Sequence, residues 1–388
     1  MQFLADYLAQ VKADDLYRQT VAYNPVSPAH VQLNGQTCLL LASNNYLGLT
    51  HNPAVQQAAA DAIWLYGTGA GGARLTTGTF PLVEQLEQEL AAFKETEAAL
   101  VFNTGYMANI GVISALAGPN DVIFSDELNH ASIIDGCRLS RAAVVVYRHA
   151  DMEHLHSLLK ATVCHGKRLI ISDGVFSMDG DIAPLTTIAQ LAQQYNAIII
   201  VDDAHATGVI GPGGKGTAAH FGIADKVQVQ IGTLSKALGA EGGFVAGSRE
   251  LIDYLKNKAR SFIFSTALAP GTIAAARAAL RELSVRPELV TKLNENALYV
   301  RDLLQSANIP VPGGITPIIP VMVESADTAV RLTAELRQQG IILTAIRPPT
   351  VPVGTSRLRM TVTAVHEREE LAAAVDAISR AVKPLRKT

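Results

Sequence analysis

Seven short apolar runs punctuate the first two-thirds of the chain, at residues 98–102, 121–124, 143–147, 168–172, 197–202, 227–232 and 243–246. Each has the length of a strand, and helical periodicity fills the intervals. Leu82, Val83, Leu86, Leu90 and Phe93 recur every three or four residues with glutamates on the opposite face. Residues 106–117, 151–159 and 188–195 carry similar patterns. Apolar strands alternating with helices predict a mostly parallel sheet, buried on both faces, in a large three-layer αβα domain. The texture changes after about Pro270. Helical patterns at 272–283 and 288–307 precede strand patterns at 318–323 and 358–362, which predicts a smaller α+β domain. The expected organisation is an N-terminal segment at 1–45, a large domain at 46–270 and a small C-terminal domain at 271–388.

The length, 388 residues, suits one large and one smaller core. A net charge of -3 supplies no basic field for nucleic acid. No apolar run approaches the roughly 18 residues of a membrane span. The first residues lack the charged start and apolar middle of a signal peptide. Cys38, Cys137 and Cys164 are widely spaced and form no CxxC pair, so they read as thiols in a reducing compartment. The expected location is cytoplasmic. No metal-binding set stands out.

Two runs concentrate the chemistry. Val201-Asp202-Asp203-Ala204-His205 follows the apolar run 197–201, and Gly232-Thr233-Leu234-Ser235-Lys236-Ala237-Leu238-Gly239 follows a second. Strand C-terminal ends are where ligands bind in open α/β sheets. An acid there is costly to bury without a partner. A lysine and an acid are what pyridoxal phosphate (PLP) needs, the first to carry the aldehyde and the second to pair with the pyridine nitrogen. Asp202 is the first candidate for that acid and Asp203 its competitor. His205 lies within reach of the same ligand. Thr233 and Ser235 can donate to a phosphate. The turn Asn103-Thr104-Gly105-Tyr106 opens a helix whose first N–H groups suit the same anion. His130, in Asn129-His130-Ala131-Ser132, could stack on an aromatic ring.

Two glycine-rich runs fail their tests. Gly67-Thr68-Gly69-Ala70-Gly71-Gly72 satisfies GxGxxG but follows a helical stretch, not a strand. In Gly213-Gly214-Lys215-Gly216-Thr217 the lysine is followed by glycine, which breaks P-loop spacing. Both read as flexible loops near a site. Late in the chain, Arg357 and Arg359 share one face of a strand, and either could hold a carboxylate in a bidentate grip.

Taken together these residues resemble the α-oxoamine synthases, a fold-type I PLP-dependent family. The resemblance runs from Asn44-Asn45-Tyr46-Leu47-Gly48-Leu49 to Arg359 and includes Gly174-Val175-Phe176-Ser177-Met178-Asp179-Gly180-Asp181. It implies a decarboxylative condensation of an amino acid with an acyl thioester. The loop Thr344-Ala345-Ile346-Arg347-Pro348-Pro349-Thr350-Val351-Pro352 is most similar to the branch that joins L-alanine to a pimeloyl thioester on the route to biotin. Coenzyme A and acyl carrier protein both remain open as the thiol carrier. Sister readings are a glycine C-acetyltransferase and a catalytically silent member acting as a binding subunit.

By the same resemblance, Lys236 carries the cofactor and Asp202 pairs with its pyridine nitrogen. His130 stacks on the ring, with Ser177 and His205 at or near its phenolic oxygen. Thr233, Gly105 and Tyr106 hold the phosphate, and Thr266 reaches it from the second subunit of a homodimer. Asn45, Thr350 and Arg359 belong to the substrate site, with Arg359 on the amino-acid carboxylate. Arg18 meets the acyl substrate.

Overall fold

The computed structural model describes residues 1–14 and 16–383. The chain forms two compact units. The larger comprises Leu49–Ser177 and Ile182–Val290; the smaller comprises Met1–Gly48, Met178–Asp181 and the chain from Thr291 onward.

The larger unit is built on seven strands: β1 (Ala98–Phe102), β2 (Val122–Asp126), β3 (Ala143–Tyr147), β4 (Arg168–Asp173), β5 (Ala197–Asp202), β6 (Val229–Thr233) and β7 (Gly243–Gly247). Their spatial order is β1-β7-β6-β5-β4-β2-β3. Strands β2 to β6 pair in parallel, and β7 runs antiparallel to both β1 and β6. The period of two along each strand sends alternate side chains to separate cores. Leu169, Ile171, Ile200 and Ile231 pack on one face with Ala108, Val112 and Ile113 of the helix Gly105–Leu116. Ile170, Ile199 and Val201 pack on the other with Leu155, Leu159 and Ile188. Each such side chain contributes about 1.5–3 kcal/mol by leaving water. The result is the expected α/β architecture, mostly parallel with helices on both faces. Its parallel strands end together, which gathers Asp126, Asp173, Asp202 and Thr233 at one edge of the sheet.

In the smaller unit, Asn24–Pro25, His30–Leu33, Gln36–Leu40 and Ile341–Ile342 form one sheet, and Ile318–Glu324, Ser356–Thr361 and Thr344–Ile346 form another. Ile319, Val321, Leu358 and Met360 pack with Leu332 and Leu336 of the helix Ala326–Gln338 and with Leu371 and Ile378 of the helix Arg368–Val382.

The compact units differ from the expected boundaries. The helix Pro270–Val285, placed by its periodicity at the start of the small domain, packs against the helices Pro53–Tyr66 and Pro81–Phe93 of the larger unit. Gly271 allows this approach: a Cβ there would lie 2.9 Å from Ile63. The chain before Gly48 belongs to the smaller unit, where Gln36–Leu40 pairs in parallel with Ile341–Ile342. The helices Ala131–Ser140 and Arg249–Lys258 were not legible as apolar runs. No helix among the described residues is long and apolar enough to cross a membrane.

Candidate active site

The end of β5 separates its two adjacent carboxylates. Asp202, only 4% exposed, accepts the Asn109 amide at 2.5 Å on Oδ2 and the Ala204 N–H at 2.8 Å on Oδ1. Asp203 is wholly buried and accepts the Lys94 ammonium at 2.8 Å, the Thr217 N–H at 3.2 Å and the Thr217 hydroxyl. Lys94 also donates to the Lys215 carbonyl at 2.5 Å. Gly216 has φ of +103°, and a Cβ there would sit 2.0 Å from Asp203 Oδ2, so only glycine fits. The loop that imitated a P-loop is therefore wrapped around a buried ion pair. Asp203 already has its counter-charge, whereas the oxygens of Asp202 take neutral donors.

Asp173 lies beside Asp202 in the parallel register of β4 and β5. Burial, reinforced by the Asp202 charge, holds its carboxyl well above the usual carboxylate range, while the His130 N–H, donated at 2.7 Å, opposes that. His130 caps the helix Ala131–Ser140, with Nδ1 at 2.7 Å from the Ser132 hydroxyl. The residue is exposed at the surface of the chain, yet its ring is sheltered enough that lost hydration lowers its pKa. The Asp202 charge opposes that shift and the Lys236 charge adds to it. Lys236 also acts on Asp173, so its ammonium lies within electrostatic range of the whole cluster.

Lys236 itself is half-buried in the turn between β6 and β7. The turn closes through Gly239 N–H to the Lys236 carbonyl at 3.0 Å and Leu234 N–H to the Gly242 carbonyl at 3.0 Å. Thr233 Oγ1 donates to Gly242 at 2.8 Å and accepts the Ser235 N–H at 3.1 Å. Gly105 opens its helix against Thr233, where a Cβ would lie 3.4 Å from Thr233 Cβ. The cap is Thr104, whose hydroxyl accepts the Met107 N–H at 3.0 Å. A helix N-terminus with small neighbours and a threonine is a ready anion cradle. Tyr106 donates its hydroxyl to Asp135, which raises the phenol's pKa. Thr266 is exposed, and its carbonyl accepts the Asn103 amide of its own chain at 2.8 Å. His205 is buried in the turn after β5, and Ser177 is half-buried beyond β4.

The remaining substrate candidates lie in the smaller unit. Arg359, 5% exposed, donates to Asn44 Oδ1 at 3.2 Å and to Thr361 Oγ1 at 3.0 Å. Beside it the Tyr46 phenol is fully buried, which pushes its pKa up to about 12 against the pull of the Arg359 cation. Asn45 is half-buried between them in sequence. Arg357 instead forms an ion pair with Asp179. Arg18 donates to the Thr350 hydroxyl at 3.4 Å, and both residues line a small cavity with Arg347.

Sequence reasoning passed over Asn109, Ser132, Asp173, Lys94 and Asn44. The signal for Asp173 was present, since Arg168–Asp173 ends in an acid as Ala197–Asp202 does. Asn109 was an amide among the apolar residues of its helix, a placement that demands a partner.

Comparison with known proteins decides the family. The profile of aminotransferase class I and II matches residues 36–378. The chain belongs to that aminotransferase family. A curated 8-amino-7-oxononanoate synthase of Lysinibacillus sphaericus is 49% identical over 378 residues, 97% of each chain. A serine palmitoyltransferase from S. paucimobilis, solved with a bound PLP–myriocin aldimine, superposes with TM-score 0.93 at 31% identity, covering 99% of this chain and 98% of that one. An 8-amino-7-oxononanoate synthase from Francisella tularensis gives TM-score 0.78 at 29% identity, covering 89% and 98%. The resemblance drawn from the motifs is borne out, and with it the fold-type I architecture and PLP as cofactor. The donor set fits PLP: a buried carboxylate, a lysine in electrostatic contact with its surroundings, and a helix N-terminus beside Thr233.

Proposed function

We propose that the chain catalyses the decarboxylative condensation of L-alanine with a pimeloyl thioester, of coenzyme A or acyl carrier protein, to 8-amino-7-oxononanoate, carbon dioxide and the free thiol. The observation that carries this reading is the near-full-length identity to 8-amino-7-oxononanoate synthases. The environment of Asp202 supports it chemically. The Asn109 amide and the Ala204 N–H orient its carboxyl, and a cationic ring nitrogen is a fitting further partner.

PLP, when bound, supplies an electron sink for the charge left on the amino-acid α-carbon. Asp202 holds a proton on the ring nitrogen. Lys236 would hold the cofactor's aldehyde end, and its Nζ would take up the alanine α-proton. The same group serves as the acid that protonates the product carbon. His130 packs on the ring, His205 and Ser177 serve its phenolic oxygen, and Gly105, Tyr106 and Thr233 hold the phosphate. Thr266 completes that cradle from a second copy in a homodimer. Arg359 binds the substrate carboxylate, with Asn45 and Thr350 as further contacts and Arg18 on the acyl substrate.

The chemistry balances. The α-carbon attacks the thioester carbonyl, the C–S bond breaks and the thiol leaves with a proton. Loss of the alanine carboxylate as carbon dioxide then leaves a carbanion that takes one proton.

The serine palmitoyltransferase likeness favours a second reading, a sister synthase using another amino acid and acyl group. The deciding test is product mass after incubation with PLP, pimeloyl-CoA and either L-alanine or glycine. Alanine-dependent 8-amino-7-oxononanoate is the expected outcome. Product only from glycine and a short acyl-CoA moves the assignment to the sister enzyme. Lys236→Ala should abolish turnover while PLP still binds without the lysine-linked absorbance.

A further inference from the structure

Four polar groups run in one line at the strand ends. Asp202 Oδ2 accepts from Asn109 Nδ2 at 2.5 Å, and the same amide nitrogen donates to Ser132 Oγ at 2.9 Å. Ser132 Oγ lies 2.7 Å from His130 Nδ1, and the Ser132 backbone N–H points at that nitrogen from 3.3 Å. Donors and acceptors can be counted along this line. A carboxylate must face a donor, so the Asn109 nitrogen faces Asp202, and this orientation leaves Asn109 Oδ1 buried without a partner. Both amide hydrogens are then used. Ser132 Oγ receives one of them, so its own hydrogen points to His130 Nδ1. That nitrogen meets a hydroxyl hydrogen and a backbone hydrogen, and has no room for one of its own.

We infer that Asn109 and Ser132 are positioning residues that hold His130 as the neutral tautomer with its proton on Nε2, and that they tie this state to the Asp202 carboxyl. The inference rests on the proposed reaction only for its consequence. In that reaction His130 offers a fixed N–H to bound ligand and does not act as a base. The charged and titratable groups around His130 are Asp202 and Lys236, Asp173 on its backbone N–H, and Tyr106, whose ring lies edge-on at 6.5 Å and is engaged with Asp135. The Asp202 charge favours a protonated imidazole; burial, the Lys236 charge and the two donors at Nδ1 oppose it.

The test is long-range proton–nitrogen spectroscopy of the [15N]histidine-labelled holoenzyme across pH. The His130 signal is assigned by its loss in His130→Gln. The expected spectrum has a pyridine-type Nδ1 and a pyrrole-type Nε2, with a titration midpoint below the ordinary value of about 6.5. Ser132→Ala should raise that midpoint by roughly half to one pH unit, because one donor to the neutral form is lost. Ser132→Thr should restore it, and Asn109→Ala should move it in the same direction as Ser132→Ala. A proton on Nδ1, or a midpoint unchanged in Ser132→Ala, overturns the inference. Product formation is assayed on the same samples. A locked His130 without the expected product sustains the tautomer assignment and defeats the proposed reaction. Product formation with an unlocked His130 does the reverse.

Discussion

The larger and smaller units each place two like charges close together in sequence and treat them differently. At the end of β5, Asp203 is neutralised by Lys94, while Asp202 is held by the Asn109 amide and a backbone N–H. On the strand Ser356–Thr361, Arg357 is neutralised by Asp179, while Arg359 rests on the Asn44 amide oxygen and the Thr361 hydroxyl. In each pair one charge meets an opposite charge, and neutral groups take part in holding the other. A buried charge with an ionic partner stabilises only as a pair. A buried charge steadied by dipoles retains its affinity for a ligand of opposite sign. Exposure does not draw this contrast, since all four residues are buried.

The comparison breaks most visibly at the two aspartates. Asp202→Asn should lower turnover on the order of a thousandfold, as loss of a fixed charge beside the reacting group does, with thermal stability close to the parent. An unchanged rate would remove Asp202 from the chemistry. Asp203→Asn should do the opposite. It leaves Lys94 buried without a counter-charge, at a cost of about 3–5 kcal/mol, which a denaturant titration reads directly. Activity per folded molecule should fall far less than in Asp202→Asn.

A smaller effect concerns pH in the smaller unit. Burial pushes the His366 imidazole down to about 4, with its Nδ1 accepting the Thr363 N–H at 3.0 Å. The unfolded chain, with a histidine near 6.5, binds the proton that the folded chain refuses. Stability is therefore complete above about pH 6.5 and declines as pH falls towards about 4, by about 3 kcal/mol in all. His366→Gln should flatten this part of the stability–pH curve. A curve as steep as the parent's would place the acid sensitivity elsewhere.

The smallest change sharpens the arginine pair. Arg359→Lys should raise KM for the amino acid by roughly ten- to a hundredfold, because a point charge replaces a bidentate fork, with a much smaller change in stability. Arg357→Lys should leave KM near the parent value, since its partner is Asp179. Equal KM effects from both would dissolve the distinction.

The order of strands and helices, the strand-end position of Asp202 and the turn around Lys236 were all legible in the sequence. Each depends on residues adjacent in the chain, where apolar period and turn chemistry act locally. The family motifs are legible for the same reason. What the sequence left open was which aspartate pairs with Lys94 and which arginine pairs with Asp179. Asp202 and Asp203 look alike until Lys94, 109 residues from Asp203, and Gly216 close around the second. Arg357 and Arg359 look alike until Asp179 and Asn44 arrive from distant segments. The unit boundary also escaped, because the helix Pro270–Val285 finds its partners among helices two hundred residues earlier in the chain, about the span back to Pro53–Tyr66. Local pattern determines which elements form. Burial and charge pairing between distant segments, which only the folded chain brings together, decide which of its charges meet an opposite charge in the fold.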